Sequence, residues 1–182
     1  MVIYMIAGYA GSGKSTAGDI LMTMCGTAAQ RRAFGDAVKD DVSRMYSVPR
    51  HLLDTQEGKR MMWATPDGEK TLRALLIEHS AAMKVENNDA GYWANKVVES
   101  INPEFPTIIH DWRYGVEYER IKARFQQETI ITIRIVRNAV IPLDDPSEHC
   151  LDGMYMTYTI FNDESITHLT DVLRAIVEVN ST

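Results

Sequence analysis

The sequence predicts an α/β protein built on a parallel sheet, and three observations carry that prediction. Val2–Ala7 is a short, wholly apolar run followed by glycine, which is typical of a strand buried on both faces. Further β-branched runs alternate with segments of helical periodicity, and parallel strands need such crossover helices. The chain has 182 residues, of which 45% are hydrophobic and 24% charged, so we expect one globular domain over residues 1–182.

Apolar and β-branched runs mark the later strands. Residues 33–35 are the expected end of a short second strand. Pro103 and Pro106 mark a loop, and three more strands are predicted beyond it, over residues 107–111, 129–136 and 157–161. Strands joined through helices pair in parallel, and ligands then bind at the carboxyl ends of the strands.

Helices are predicted where helical spacing of apolar residues meets a start or stop signal. Asp36 is expected to cap a helix that Pro49 ends, and Asp89 to cap another that runs to Ser100. The predicted helices cover residues 14–24, 36–46, 69–84, 89–100, 114–127 and 165–179. Residues 138–150 are expected to form a polar loop.

Charge and cysteine content exclude several classes of protein. The 19 Lys and Arg against 25 Asp and Glu leave a net charge of −6, which disfavours a nucleic-acid binder because such proteins need a basic stripe. Cys25 and Cys150 lie far apart and form no CxxC pair, so we expect a reducing compartment: the cytoplasm, or the host cytoplasm if the chain is viral. No run approaches the roughly 20 apolar residues of a membrane helix.

Residues 8–15, GYAGSGKS, match the phosphate-binding pattern GxxxxGK[ST], and we call them the P-loop. The glycines allow backbone N–H groups to wrap a phosphate chain, and the helix that follows presents its positive end to the same anion. Lys14 would then bridge the β- and γ-phosphates, and the Ser15 hydroxyl would coordinate Mg²⁺. The pattern predicts a site for ATP or GTP with Mg²⁺.

Three charged residues lie at the end of the predicted strand 107–111 or just beyond it, at the edge of the sheet where ligands bind. Arg113 would bind the phosphate of an acceptor with its planar guanidinium. Asp111 would receive the acceptor or hold Mg²⁺-bound water. Glu117 lies one helical turn beyond Arg113 and would orient it. A surface salt bridge at the end of a strand is the alternative interpretation.

Four further side chains are candidates for contacts with a phosphorylated ligand. Lys39 falls in the first turn of the helix that Asp36 is expected to cap, where the dipole favours anions, so a bound phosphate would explain it as well as solvent exposure would. Arg73, near the apolar side of its helix, would need an anionic partner if buried. Trp93 would stack on a base or fill the core. Arg137 would touch ATP, unless it is only a charge at the end of a strand.

Several segments, taken in order, resemble a known family. The P-loop is followed by FGDAVK (34–39), YW (92–93), DWRYGVE (111–117), VR (136–137), DDPSE (144–148) and IFND (160–163). This order looks like that of the phage-type deoxynucleoside monophosphate kinases, which are related to the animal-type phosphomevalonate kinases. The resemblance covers nearly the whole chain.

The resemblance implies a three-layer P-loop NTPase fold, in which helices flank a five-stranded parallel sheet of order 2-3-1-4-5. It implies one kinase domain, with an acceptor-binding helical region over about residues 36–100 and a lid over about 138–150. The implied ATP-binding residues are Gly11, Ser12, Gly13, Lys14, Ser15, Thr16 and Arg137. The resemblance places Lys39, Arg73, Trp93, Asp111 and Arg113 around the acceptor, and we add Ser80 and Glu117 to the predicted acceptor-binding residues. Catalytic roles are implied for Lys14, Asp111, Arg113 and Arg137.

These observations predict an enzyme that transfers the γ-phosphoryl group of ATP to a (deoxy)nucleoside monophosphate, with Mg²⁺ as cofactor, for DNA precursor synthesis. The expected partners are these two small molecules, and neither nucleic acid nor a membrane is expected. The sequence leaves open whether the protein forms a homodimer. Two alternatives also stay open: a kinase of another small phosphorylated acceptor such as phosphomevalonate, and a P-loop ATP-binding switch or NTPase module. The sequence indicates no preferred base and no preferred sugar.

Overall fold

The computed structural model of the chain describes residues 1–142 and 144–180. The chain divides into two compact units. The first, here the sheet unit, comprises Met1–Ala33 and the chain from Val98 onward, and the second comprises Phe34–Val97. Among the described residues, no helix combines the length and the apolar character needed to cross a membrane.

Strands and helices alternate along most of the described chain. The strands are β1 (Val2–Ala7), β2 (Gln30–Arg32), β3 (Met62–Thr65), β4 (Gly68–Thr71), β5 (Thr107–Ile109), β6 (Thr129–Val136) and β7 (Tyr158–Phe161). The α-helices are α1 (Lys14–Cys25), α2 (Phe34–Tyr46), α3 (Leu72–Glu86), α4 (Tyr92–Ser100), α5 (Gly115–Arg124), α6 (Pro146–His149) and α7 (Ile166–Val179).

Five strands form one parallel sheet in the order β2-β5-β1-β6-β7. Numbered along the chain within this sheet alone, the order is 2-3-1-4-5, as predicted. The alternating helices, the order of this parallel sheet and the position of the P-loop directly after β1 agree with the P-loop NTPase fold, so the predicted fold class is confirmed. The predicted bounds of β1 and β6 agree with the structure, because both strands are apolar runs long enough to be recognised locally.

The core of the sheet unit lies between the sheet and the helices α1 and α7. Tyr4 and Ile6 of β1 pack in one cluster with Leu21 of α1 and Leu173 of α7, and all four side chains are buried. Ile3, the neighbour of Tyr4, is also fully buried. Because neighbouring residues of a strand point to opposite faces, β1 is covered on both sides. This burial holds the end of β1, and therefore the P-loop after it, in a fixed position.

Residues Phe34–Val97 have a core of their own. Val42 of α2 packs with Leu53 and with Leu72 and Leu75 of α3, and these side chains are buried. An antiparallel hairpin of β3 and β4 adjoins this core through Trp63, whose indole N–H donates to the carbonyl of Tyr46 at 3.1 Å.

This hairpin corrects the predicted helix 69–84. Residues 69–71 belong to β4 and pair with β3, and α3 begins only at Leu72. The hydroxyl of Thr71 accepts the N–H of Ala74 at 3.1 Å, so Thr71 is the residue that caps the helix. Residues 69–71 therefore pair as a strand, although the spacing of apolar residues had placed them in the helix.

The start of α2 also differs from the prediction. The second strand ends at Arg32 and α2 begins at Phe34, so Asp36 lies inside the first turn and not at the cap. Lys39 consequently lies one turn deeper in the helix than expected. The carboxylate of Asp36, freed from the role of a cap, accepts hydrogen bonds from Lys39 and Arg50 at 3.0 and 2.9 Å.

Candidate functional site

The P-loop follows β1 directly, at the carboxyl edge of the sheet. Gly8 has φ 145° and Gly13 has φ 105°, backbone angles that residues with a side chain rarely adopt. A Cβ atom at Gly8 would lie 2.4 Å from the carbonyl oxygen of Ile135, and one at Gly13 would lie 2.3 Å from the amide nitrogen of Asn162. The loop is therefore packed tightly onto the ends of β6 and β7, and only glycine fits at these two positions.

Helix α1 begins within the P-loop pattern, with Gly13 as its N-cap and Lys14 as its first residue. Within the described residues, no side chain caps this helix, and its first turn contains no acidic residue. The first N–H groups of a helix lack partners within the helix, and the dipole makes this end positive. The N-terminus of α1 is therefore suited to a phosphate group, as the pattern predicted.

Ser12, Ser15 and Thr16 differ in their exposure. Ser12 is buried, and its carbonyl accepts a 2.8 Å hydrogen bond from the side-chain amide of Asn162. Ser15 is exposed and Thr16 half-buried on the first turn of α1. Gly11 is exposed as well, and a Cβ atom there would lie 3.8 Å from a methyl carbon of Val140.

The ammonium group of Lys14 lies on the P-loop itself. Its Nζ donates to the carbonyl oxygens of Gly8 and Tyr9 at 2.6 and 2.8 Å. Burial lowers the pKa of Lys14, the positive charge of Arg113 lowers it further, and the carboxylates of Glu148 and Asp111 act in the opposite direction. Lys14 is thus a cation held among neutral carbonyl groups with a second cation close enough to affect it.

Arg113 and Asp111 both follow β5, which ends at Ile109, two residues before its predicted end, and their charges act on Lys14. The Arg113 guanidinium donates to Glu148 at 2.6 Å and to the hydroxyl of Ser147 at 3.2 Å. The structure therefore brings together Lys14, Asp111 and Arg113 around the P-loop. It adds Glu148, to which the sequence analysis assigned no role.

Glu117 supports Arg113 in a way that differs from the prediction. One oxygen of its buried carboxylate accepts the main-chain N–H groups of Arg113 and Tyr114, at 2.9 and 3.0 Å. Glu117 is thus in the first turn of α5 and holds the backbone at the start of that helix. It orients Arg113 through the main chain, whereas the guanidinium itself reaches Glu148.

A second contact between distant segments joins the P-loop to the chain after α6. The hydroxyl of Tyr9 donates to the carboxylate of Asp152 at 3.0 Å, and Arg134 of β6 donates to the same carboxylate at 3.2 Å. The ring of Tyr9 also lies 5.7 Å from that of His149. Tyr9 occupies a variable position of the P-loop pattern, so the pattern contained no signal for this contact.

Arg137 follows β6 and is exposed. The polar loop after it begins with Asn138, whose main-chain N–H and side-chain amide donate to Asp163 at 2.8 and 2.7 Å. The predicted lid, residues 138–150, contains the short helix α6, and position 143 lies outside the described residues. A role for this segment as a lid stays a prediction.

Four predicted acceptor-binding residues belong to the unit Phe34–Val97. Trp93 is buried, and its indole N–H donates to the carbonyl of Ser80 at 3.1 Å. The ring of His79 lies 5.8 Å from that of Trp93. Arg73 is exposed, and its guanidinium donates to the side chain of Gln56 at 2.6 Å. Their roles in binding an acceptor stay predictions.

Lys39, the fourth, lies in a network of charges. Its Nζ donates to Asp36 and Asp54, each at 3.0 Å. Arg50 donates to the same two carboxylates, at 2.9 and 2.6 Å. Burial acts to lower the pKa of Lys39, but the hydrogen bonds to the two carboxylates raise it overall. Arg50 was not among the predicted site residues, because only the folded chain brings it beside Asp36.

We compared the chain with protein families, curated proteins and solved structures. No family model matches the chain, and no curated protein is significantly similar to it in sequence. The crystal structure of a gluconokinase from Sinorhizobium meliloti 1021 is similar with a TM-score of 0.48 at 12% identity, over 98% of this chain and 93% of that chain.

Proposed function

We propose that the protein transfers the γ-phosphoryl group of ATP to the phosphate of a (deoxy)nucleoside monophosphate. The observation that carries the proposal is the convergence of Lys14 and Arg113 beside the uncapped N-terminus of α1. The carboxylates of Glu148 and Asp111 offset part of the repulsion between these two cations, yet the pKa of Lys14 stays lowered at this positive helix end. A reaction that brings two phosphate groups together would supply further negative charge there.

On the ATP side, residues Gly11 to Thr16 would hold the phosphate chain through backbone N–H groups. Lys14 would exchange its two carbonyl acceptors for phosphate oxygens, which bind an ammonium group more strongly because they are charged. Arg137, which is exposed just after β6, would also contact the nucleotide.

The residues present are suited to Mg²⁺ bound with ATP. Mg²⁺ takes few protein ligands and keeps water and phosphate oxygens. The Ser15 hydroxyl is exposed on the first turn of α1, and the described residues contain no cluster of three His, Cys, Asp or Glu that would enclose a metal. Ser15 would hold the ion, with Asp111 binding one of its waters. The ion would supply charge neutralisation on the phosphate chain.

The chain's own residues then act by alignment and neutralisation. The acceptor phosphate is already anionic near neutral pH, so no strong base is required. An oxygen of that phosphate forms the new bond to the γ-phosphorus, the bond to the bridging oxygen of ATP breaks, and ADP leaves. Lys14 and Arg113 stabilise the negative charge that the two phosphates share. Residues 138–150 would exclude water from the reaction as a lid.

We assign acceptor binding to Arg113 and Asp111, with Glu117 holding the backbone of Arg113. Acceptor binding by Lys39, Arg73, Ser80 and Trp93, which belong to the unit Phe34–Val97, remains a prediction from the sequence. Arg113 would bind the acceptor phosphate with its remaining guanidinium N–H groups, which suit the geometry of a phosphate.

A coupled ADP-release assay tests the proposal. Wild-type protein with Mg²⁺ and ATP would be offered each ribonucleoside and deoxyribonucleoside monophosphate, phosphomevalonate, and a sugar acid without phosphate. We expect stimulation by one or more nucleoside monophosphates. If only phosphomevalonate or only the sugar acid stimulates ADP release, that compound is the acceptor and the nucleoside monophosphate is not. ADP release that no small molecule stimulates, but a macromolecule does, would favour an ATP-binding switch.

A further inference from the structure

The buried carboxylate of Glu148 joins two segments that are distant along the chain. One oxygen accepts the backbone N–H of Ala10 in the P-loop at 2.7 Å, and the other accepts the guanidinium of Arg113 at 2.6 Å. The Glu148 side chain is only 2% exposed. Each oxygen thus has its own donor, and one side chain sets the distance between the P-loop and Arg113.

A carboxylate in such a position must be paired, because an ionised group without partners is costly to bury. Charge-assisted hydrogen bonds are short and directional, so they restrict the donor more than neutral bonds do. The guanidinium of Arg113 is 37% exposed at its side chain and would otherwise be free to rotate into solvent. Glu148 therefore restricts a side chain that the proposed reaction needs in place.

The surrounding contacts keep Glu148 in this position. Ser147, its neighbour, accepts a second hydrogen bond from Arg113 at 3.2 Å. The backbone N–H of Ser147 donates to Asp145, the N-cap of α6, at 2.9 Å. At the other end, Asp152 binds the hydroxyl of Tyr9 at 3.0 Å. The segment 145–152 is therefore held to Arg113 through Ser147 before Glu148, and to the P-loop through Asp152 after it.

Glu148 also acts on the charges of the site. The positive charge of Arg113 disfavours a proton on Lys14, and the negative charge of Glu148 favours it. Glu148 therefore offsets part of the repulsion between the two cations before any phosphate binds. A neutral side chain at this position would let Arg113 move away from Lys14.

We propose that Glu148 is a positioning residue for phosphoryl transfer, which holds the guanidinium of Arg113 at the P-loop. This inference rests on the proposed function, because it assigns Glu148 a part in the same reaction. Its action passes through Arg113, so Glu148 matters to turnover only while Arg113 is present. A carboxylate that merely braced the fold would affect turnover equally with or without Arg113.

A double-mutant cycle in the ADP-release assay tests this dependence, with Glu148→Gln, Arg113→Ala and the double variant. Glutamine keeps the size of the side chain and removes its charge. We expect Glu148→Gln alone to lower kcat about tenfold or more while the KM for ATP changes less than about threefold. In the Arg113→Ala background, the same substitution should lower kcat less than about twofold.

Two further variants accompany the cycle. Ser147→Ala removes one hydrogen bond to Arg113 and leaves the buried carboxylate in place, so it should lower kcat a few-fold, again only when Arg113 is present. It keeps the test decisive if Glu148→Gln does not fold. Asp171→Asn is the matched control, because Asp171 is an exposed carboxylate that pairs with Arg174 on α7 at 2.7 Å. Its kcat should equal that of the wild type.

Thermal unfolding of the same proteins separates the outcomes. Equal loss of kcat from Glu148→Gln in both backgrounds would overturn the positioning role, even if melting temperatures show that the two side chains interact. Unchanged kcat in Glu148→Gln would overturn it as well. Wild-type protein that releases no ADP with any phosphorylated acceptor would instead overturn the proposed function, and that result is read before any variant is compared.

Discussion

Lys14 of the P-loop and Lys39 of α2 are both predicted to meet phosphate, but they have opposite surroundings. Lys14 lies on two neutral carbonyl oxygens, with Arg113 nearby, and its pKa is lowered. Lys39 lies 3.0 Å from each of two carboxylates, and its pKa is raised. The charge of Lys14 is left for a ligand to balance, whereas the charge of Lys39 is already balanced within the protein.

This difference leads us to expect that phosphate binds more strongly at Lys14 than at Lys39. An anion that reaches Lys14 meets a cation without a carboxylate partner, so the gain in binding free energy is large. An anion that reaches Lys39 must compete with Asp36 and Asp54, which repel it. We therefore expect substitutions around the P-loop to affect the reaction more than substitutions in the α2 network.

Lys14→Ala should have the largest effect. The variant loses the ammonium group nearest the phosphate chain, and we expect kcat to fall by about 1,000-fold or more in the ADP-release assay. Circular dichroism should show the same fold, because Lys14 is not part of the hydrophobic core. Lys122→Ala is the control, since Lys122 is an exposed lysine on α5. Near-normal turnover of Lys14→Ala would contradict the assignment of the P-loop.

Arg113→Ala should have the next largest effect. We expect kcat to fall by about 100-fold and the KM for the acceptor to rise, because the guanidinium would bind the acceptor phosphate and the transition-state charge. Binding of a non-hydrolysable ATP analogue, measured by calorimetry, should stay close to that of the wild type. Arg174→Ala, which alters an exposed ion pair on α7, is the control. An equal loss of affinity for ATP would argue against the acceptor role of Arg113.

Lys39→Ala should affect the acceptor less. Because Asp36 and Asp54 already bind this ammonium group, we expect the KM for the acceptor to rise by about tenfold or less, with kcat little changed. Steady-state kinetics with the acceptor varied would measure it, and the exposed Lys96 offers the control Lys96→Ala. A loss as large as that of Lys14→Ala would show that the carboxylates do not weaken the binding of phosphate at Lys39.

Melting temperatures should show the smallest effect, with opposite signs for the two lysines. Because the pKa of Lys14 is lowered, its charged form destabilises the fold near neutral pH, so Lys14→Met should raise Tm there. Because the pKa of Lys39 is raised, its charged form stabilises the fold, so Lys39→Met should lower Tm.

The change in Tm that each substitution causes should also depend on pH, and over a different pH range for each lysine. The advantage of Lys14→Met should shrink as the pH rises from the lowered pKa towards the ordinary lysine value of 10.5. The deficit of Lys39→Met should persist up to 10.5 and shrink only above it, as Lys39 itself loses its proton. Thermal unfolding across this range measures both, and equal signs for the two variants would contradict the comparison.

The sequence predicted the sheet unit better than the unit Phe34–Val97. β1 and β6 are apolar runs whose character is visible locally, and the five-stranded order was implied by the resemblance. The hairpin of β3 and β4 was missed, because its strands are short and largely exposed. The predicted role of Asp36 as a helix cap was also wrong. A residue caps a helix only if the helix begins directly after it, and α2 begins at Phe34, two residues before Asp36.

By itself, the sequence determined the chemistry of the P-loop, since eight consecutive residues contain the glycines, the lysine and the hydroxyl that a phosphate chain requires. Only the tertiary structure decided which groups meet that loop. Glu148 is 138 positions from Ala10 and 35 from Arg113, yet it binds both. Such contacts depend on how the sheet and its connections pack, and packing joins residues that no local pattern relates.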